Sequence, residues 1–167
     1  MKRYHTFPIL GEQVVGHHTH NMLSMLFVLH SGPSITLIKA VHYHDKGEYR
    51  VGDAPSPALK EHPRLGEAYE EAQKRVLWEE FGVNQDILCE DEACWLHALD
   101  KLEAYFFAID QLQLGNQNAR EIILNLVTSF QSLHRNGNLP QPVKELLEDE
   151  WSRYSHFREI WPSAIFE

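Results

Sequence analysis

The chain has 167 residues and a formal charge of −9, from 15 Lys and Arg against 24 Asp and Glu. A protein that grips long nucleic acid without base specificity needs a basic surface, so this charge argues against that class. The acidity is uneven, because residues 1–75 hold nine basic and eight acidic side chains, whereas residues 76–167 hold six and sixteen. The charge distribution therefore does not exclude a site for a small anion in residues 1–75.

Length and composition favour one domain that spans residues 1–167. Hydrophobic residues make up 43% of the chain, which excludes a disordered or fibrous protein. No apolar run has membrane-spanning length, and the first residues lack the apolar stretch of a secretory signal. Cys89 and Cys94, the only cysteines, suit a reducing compartment. We expect a cytoplasmic protein without a membrane partner, located in the host cytoplasm if it is viral.

Hydrophobic spacing and helix-stop residues predict an all-α fold, a single bundle of about five to seven helices. In chain order, the predicted helices span residues 12–30, 34–44, 64–81, 91–113, 119–134 and 142–157. The segment 45–63 carries three prolines and two glycines, so we expect it to be mostly loop. Strand-like alternation is scarce, and the sequence shows no internal repeat.

Histidine is unusually frequent, with 11 in the chain. Some histidines and acidic residues stand on apolar helix faces or at a helix end, where a polar side chain needs a partner. His18 falls on the inward apolar stripe of the first predicted helix, and the pair His44-Asp45 ends the second. Asp100 interrupts the apolar stripe of helix 91–113, where a carboxylate is costly to bury unless it is paired or metal-bound. We interpret these four side chains as the ligands of one divalent metal.

Two imidazoles and two carboxylates suit Mn, Fe, Co, Ni or Zn, and they lack the thiolates of a closed structural zinc site. Open positions on such a metal would hold water and a phosphoryl oxygen. Each residue also has an ordinary interpretation when it is taken alone. His18 fits a core histidine, Asp53 fits the polar residue of a Gly-Asp turn, and Arg3 fits a frayed terminus.

The segment after the His-Asp pair holds candidate catalytic residues. Glu48 lies three residues beyond Asp45, where it can exchange a proton with an attacking water or a leaving oxygen. Asp53 follows Gly52, whose backbone freedom allows a turn that aims the carboxylate at a ligand. Nearby cations are candidates for holding phosphate oxygens, namely Lys46, Arg50, Lys60, Arg64 and Lys101.

The order of His18, His44-Asp45 and Asp100 resembles that of the HD-domain metal phosphohydrolases. The segment HDKGEYRVGDAPSPALK is similar to the HD-x-x-E-x-x-x-GD-x-P-x-P stretch of their 5′-deoxynucleotidase branch. The early RYH and the later DKLEA segments resemble that branch's Arg-Trp pair and its DKL-x-A segment. The resemblance covers about residues 1–110 and rests on five spaced elements in the same order.

The resemblance implies an HD-domain bundle whose two His and two Asp ligands hold one divalent transition metal. It implies that Glu48 is the acid/base residue and that Asp53 acts near the scissile ester. Arg3 would contact phosphate or sugar, and Tyr4, which stands where the branch has Trp, would pack on the deoxyribose.

Two substrates are compatible with this resemblance. One is a deoxynucleoside monophosphate that loses phosphate, and the other is a deoxynucleoside triphosphate, dATP first, from which a phage branch removes intact triphosphate. An additional Mg²⁺ would accompany a triphosphate. The resemblance and the aromatic tail 151–166 also lead us to expect a homo-oligomer, a dimer or a hexamer. A hydrolase of another signalling or cyclic nucleotide and a non-catalytic metal-binding helical domain remain the alternatives.

Overall fold

A computed structural model of the chain describes residues 3, 8–52, 54, 56–153 and 165–166, with only the backbone at 56, 57 and 60. Helices dominate these residues, and none of them forms a strand. The helices are α1 (Val15–Leu29), α2 (Ile35–Tyr43), α3 (Glu48–Val51), α4 (Ser56–Glu61), α5 (Pro63–Phe81), α6 (Glu90–Gln113), α7 (Ala119–Arg135) and α8 (Gln141–Arg153). The six longer helices confirm the predicted all-α fold of five to seven helices.

The segment between α2 and α5 differs from its prediction. Residues 45–63 were expected to be mostly loop, but they contain most of a 3₁₀ turn (His44–Gly47) and the short helices α3 and α4. Helices of four and six residues are too short to produce a readable apolar period. The first helix also begins later than the predicted residue 12, because Val14 is extended, with φ −109° and ψ 154°.

Local sequence signals fix several of the helix ends. The Ser34 hydroxyl accepts a hydrogen bond from the Leu37 amide at 3.0 Å and so caps α2. Cys89 and Glu92 form a capping box at the start of α6, where three acidic residues also favour the helix dipole. Gly82 ends α5 in the left-handed conformation, with φ +62°.

Helix α6 is the centre of the bundle and contacts α1, α2 and α7. Its inward face is almost fully buried and is formed by Trp95, Ala98, Leu99, Leu102, Tyr105, Ala108, Ile109 and Leu112. Helix α1 contributes Met22 and Leu26 to this core, and both are fully buried. This packing sets α1 and α2 beside the first half of α6, where the predicted metal ligands lie.

The 3₁₀ turn packs directly against α5 at Gly47. A Cβ atom built on Gly47 would lie 2.9 Å from the Gln73 Cβ and 3.0 Å from the Gln73 backbone. Real Cβ atoms essentially never lie closer than 3.0 Å to another heavy atom outside their own chain neighbours. Gly47 is therefore needed for the close contact that holds the His44-Asp45 turn against α5.

The described part of the aromatic tail, on which the expectation of a homo-oligomer partly rests, packs within the chain. Trp151 and Ile165 are buried in the same core as α6, and Phe166 lies against that core. Residues 154–164 lie outside the described part of the chain. No helix among the described residues combines the length and apolar character needed to cross a membrane.

Candidate metal centre

Three helical elements bring His18, His44 and Asp100 together. His18 lies on the buried face of α1, His44 begins the 3₁₀ turn after α2, and Asp100 lies on α6. The His18 Nε2 is 3.3 Å from the His44 Nε2 and 3.3 Å from the Asp100 Oδ1. The His44 Nε2 is 3.7 Å from the same Asp100 oxygen. Three residues that are distant in sequence thus converge on one point.

These spacings fit donors that share one metal ion. Two ligands at about 2.1 Å from an ion, seen at tetrahedral or octahedral angles, lie about 3.0–3.4 Å apart. The three measured separations lie in or slightly above this range, and one ligand atom from each residue lies within 4.8 Å of the other two. His18, His44 and Asp100 can therefore hold a metal ion.

Asp45 borders the same three residues. Its Oδ1 is 2.9 Å from the His44 Nε2, and its Oδ2 is 3.6 Å from the His18 Nε2. The Oδ2 atom is buried and accepts no hydrogen bond from the described residues. A buried carboxylate oxygen without a donor is costly, and a cation at the cluster would satisfy it. His18, His44 and Asp100 form the group that can hold an ion, and Asp45, the fourth predicted ligand, borders that group.

Both imidazoles present Nε2 to the cluster because their Nδ1 atoms are engaged elsewhere. The His44 Nδ1 lies 3.2 Å from the Val41 carbonyl oxygen, and the His18 Nδ1 lies 2.5 Å from the Glu103 Oε2. An acceptor at Nδ1 holds the ring proton there and leaves the Nε2 lone pair for a metal. Two different acceptors, the Val41 carbonyl and the Glu103 carboxylate, thus orient the two rings with Nε2 toward the cluster.

The cluster also shifts the pKa values of its members. Burial lowers the pKa of His44, but the carboxylates of Asp100 and Asp45 outweigh it and raise that pKa to about 10. Burial likewise opposes ionisation of Asp45, yet His44 and the Arg3 charge hold the pKa of Asp45 below its usual value. The pKa of Asp100 lies well below its usual value despite burial, chiefly because of His18 and His44. Both carboxylates are ionised at neutral pH, whereas the His44 ring is protonated without a metal and must lose its Nε2 proton to bind one.

Arg3 lies at the edge of the cluster. Its guanidinium nitrogens are 3.7 Å from the Asp45 Oδ2 and 3.6 Å from the Asp100 Oδ1. Its backbone amide donates to the Gln13 carbonyl at 2.8 Å, which ties the start of the chain to the residues before α1. A fixed cation beside the ligands can attract an anionic group to this place.

A cavity of about 270 Å³ opens beside Asp45. It is lined by Val15, Gly16, Asp45, Lys46, Tyr49 and Phe81. A Cβ atom on Gly16 would meet nothing within 4 Å, so there is free space beside this lining residue. The cavity is thus lined by the carboxylate of Asp45, a lysine and two aromatic rings.

The remaining predicted residues divide between near and distant positions. Glu48 is half-buried and begins α3 directly after the His-Asp turn, and Lys46 lines the cavity.

The other predicted residues are not placed at the cluster. Lys101 follows Asp100 on α6, so its side chain points about 100° away from that of Asp100. Arg50 is bound instead by Glu80 on α5, at 2.6 Å. Tyr4, Asp53 and the side chain of Lys60 lie outside the described part of the structure.

The loop that carries position 53 is anchored by α5. The Tyr69 hydroxyl donates to the Gly52 carbonyl oxygen and accepts from the Ala54 amide at 3.1 Å. Gly52 has a positive φ of 82°, as expected of a glycine that turns the backbone. Tyr69 therefore holds both neighbours of Asp53 in place.

Sequence reasoning missed Glu103, which is 2% exposed and bonded to His18. A signal was present, because Glu103 follows Asp100 by three residues and so lies on the same face of α6. Asp100 and Glu103 on one largely apolar helix face indicate a shared cationic partner more strongly than a single acidic residue would. His17, His20 and His42 are exposed, as helix-surface histidines are.

No protein-family model matches the chain. No curated protein is detectably similar to it.

Proposed function

We propose that the chain is a metal-dependent phosphohydrolase that cleaves the 5′-phosphoester of a 2′-deoxynucleotide. The observation that carries this proposal is the convergence of His18, His44 and Asp100, with Asp45 and the Arg3 guanidinium beside them. The sequence resemblance to HD-domain phosphohydrolases supplies the reaction class, since its spaced motifs include all five of these residues. The metal is one divalent transition ion, Mn, Fe, Co, Ni or Zn, and a triphosphate substrate would bring an additional Mg²⁺.

A metal bound at the cluster would polarise a phosphoryl oxygen and lower the pKa of a bound water. His18, His44, Asp45 and Asp100 would hold it. Arg3, which lies beside both Asp carboxylates, supports the proposal because its positive charge attracts the phosphate that must approach them.

In the proposed reaction, the oxygen of water forms a bond to the phosphorus attached to the 5′ oxygen. The bond between that phosphorus and the 5′ oxygen breaks, the water loses a proton and the 5′ oxygen gains one. Glu48 is our candidate for moving this proton, because it begins α3 one turn beyond the metal-binding pair. Asp53 is the second candidate and is carried by the loop that Tyr69 anchors.

The substrate would occupy the cavity beside Asp45. Its volume of about 270 Å³ is close to the lower end of the range for small-ligand sites, about 300–1,000 Å³. Lys46 supplies a cation for phosphate, and Tyr49 and Phe81 supply aromatic surface on which a base or sugar can pack. A single nucleotide is therefore our candidate ligand, and dATP is the first to be tested.

The test incubates the full chain, loaded with Mn²⁺ or Co²⁺, with dATP and dAMP and separates the products by ion-exchange chromatography. A triphosphohydrolase converts dATP to deoxyadenosine and inorganic triphosphate. A 5′-deoxynucleotidase leaves dATP intact and releases phosphate from dAMP. Other deoxynucleotides, ATP and AMP complete the panel and report base and sugar preference.

The matched control is the pair His18→Asn and His17→Asn, because His18 is fully buried in the cluster and its neighbour is exposed. The proposal requires that only His18→Asn abolishes hydrolysis. A fully metal-loaded chain that hydrolyses no deoxynucleotide contradicts the proposal and favours a non-catalytic metal-binding domain. Hydrolysis of a cyclic or signalling nucleotide alone would contradict the substrate class.

A further inference from the structure

Glu103 contacts the edge of the His18 ring that faces away from the cluster. Its side chain is 2% exposed, and its Oε2 lies 2.5 Å from the His18 Nδ1. The His18 Nε2, on the opposite edge, lies 3.3 Å from the His44 Nε2. Glu103 therefore stands behind His18, and its Oε2 also lies 4.0 Å from the Arg3 guanidinium at the edge of the cluster.

The carboxylate of Glu103 is itself held in one orientation. Its Oε1 accepts hydrogen bonds from the Gln13 Nε2 at 2.7 Å and from the Asn21 Nδ2 at 3.0 Å. Gln13 precedes α1 and Asn21 lies within it, so the carboxylate connects α6 both to α1 and to the residues just before α1. With Oε1 occupied by two donors, Oε2 is fixed toward the imidazole.

This arrangement determines where His18 carries its proton. A neutral imidazole has one N–H and one acceptor nitrogen, and a carboxylate at Nδ1 accepts the N–H there. The lone pair then belongs to Nε2, which points into the cluster. His44 achieves the same result with the Val41 carbonyl at 3.2 Å, a weaker acceptor than a carboxylate.

We propose that Glu103 is a positioning residue that fixes the ring and the Nδ1 proton of His18 and thereby sets the affinity of the cluster for its metal. A buried carboxylate is costly to the fold unless it is hydrogen-bonded, and Glu103 meets that condition with three partners from α1 and its amino-terminal flank. The inference rests on the metal site of the proposed function but not on any nucleotide chemistry.

The first test measures the Zn²⁺ dissociation constant by calorimetry for the wild type, Glu103→Gln and Glu103→Leu. The Leu variant offers no acceptor, and we expect it to bind zinc about 10–100-fold more weakly, the usual effect of losing such a partner. The Gln variant keeps one oxygen that can accept from Nδ1, so we expect a loss of less than about tenfold. Melting temperatures are recorded for each variant to separate metal affinity from stability.

The matched control is Glu150→Leu. Glu150 is also a buried helical glutamate, 8% exposed, and it pairs with Arg153 on α8. Its replacement should lower the melting temperature and leave the zinc dissociation constant within about twofold of the wild type. Equal loss of zinc affinity in Glu150→Leu and Glu103→Leu would overturn the proposal, since it would reflect stability alone.

The second test is spectroscopic and uses zinc-loaded protein labelled with ¹⁵N-histidine. We expect the wild-type His18 to bind zinc through Nε2 and to show a strongly downfield Nδ1 proton, which moves upfield in Glu103→Gln and further in Glu103→Leu. If the Leu variant does not fold, the wild-type and Gln spectra decide the matter. A His18 ring that binds zinc through Nδ1 would overturn the proposal, as would a Leu variant whose zinc affinity lies within about threefold of the wild type.

The two proposals fail in distinguishable ways. A chain that binds zinc in the predicted order of variants but hydrolyses no deoxynucleotide contradicts the proposed function and supports the role of Glu103. A wild type that binds neither zinc nor any of the other candidate metals contradicts both.

Discussion

His18 and His44 approach each other to 3.3 Å through their Nε2 atoms, although 26 residues separate them in the chain. An acceptor lies at each Nδ1 atom, so both Nε2 atoms are directed into the same small space. A shared cation would satisfy both nitrogens, and oxygens of Asp100 and Asp45 lie within 3.7 Å of them. This contact is the geometric basis of the candidate metal site.

The first prediction concerns His18, which supplies one of the three converging ligand atoms. His18→Asn should weaken zinc binding by more than about 100-fold, beyond the 10–100-fold typical of residues behind the ligands. Calorimetric titration measures this loss directly. The neighbouring exposed His17 is the control, and His17→Asn should bind zinc as the wild type does. Equal affinities for the two variants would contradict the ligand role.

The second prediction concerns Asp45, whose buried Oδ2 accepts no hydrogen bond from the described residues. Asp45→Ala should abolish both bound metal and turnover, because it removes the carboxylate that touches both histidines. Metal content by elemental analysis and hydrolysis of dATP and dAMP are measured on one preparation. Asp149, an exposed residue on α8, supplies the control variant Asp149→Ala. Full activity in Asp45→Ala would refute the assignment.

The third prediction concerns the contact between Gly47 and α5. Gly47→Ala places a methyl group 2.9–3.0 Å from Gln73, including its backbone, so the 3₁₀ turn must shift. Such overpacking costs about 1–3 kcal/mol, and each kcal/mol lowers the melting temperature by about 2–4 °C at this size. We also expect weaker metal binding, because the turn carries His44 and Asp45.

Gly32→Ala is the matched control for this change. Gly32 has no positive φ, and a Cβ atom there meets nothing within 4 Å. Its replacement should change neither the melting temperature nor the zinc affinity by a measurable amount. A Gly47→Ala variant as stable as Gly32→Ala would show that the turn does not press on α5.

The fourth prediction concerns Tyr69, whose hydroxyl binds both Gly52 and Ala54. Tyr69→Phe should lower kcat while the zinc dissociation constant stays within about twofold, since the loop carries Asp53 and none of the metal ligands. Steady-state kinetics and calorimetry on the same protein separate the two quantities. An unchanged kcat would argue against a catalytic part for this loop.

The long helices could be predicted because their apolar periods and their stop residues are local. Helix α5 was predicted at 64–81 and spans Pro63–Phe81, and the glycine that ends it adopts the expected left-handed conformation. Helices α3 and α4 could not be predicted, because they are shorter than one readable period. Their existence depends on packing against α5, which the local sequence does not record.

The site shows the same division. His18, His44 and Asp100 were predicted as metal ligands because polar side chains on apolar stripes need a partner, and the structure brings these three together. Glu103 was missed although it shares a helix face with Asp100, because that spacing does not identify its partner, His18, which lies 85 positions away in the chain. The cavity beside Asp45 likewise depends on α5, which contributes Phe81.

The most direct test of the account follows hydrolysis as a function of metal occupancy. Protein stripped with a chelator is titrated with Mn²⁺ or Co²⁺, and bound metal and deoxynucleotide cleavage are measured at each point. The account predicts no cleavage in the stripped protein and a rise in proportion to occupancy that ends at one metal per chain. Cleavage that persists without metal, or a fully occupied site without cleavage, would contradict it.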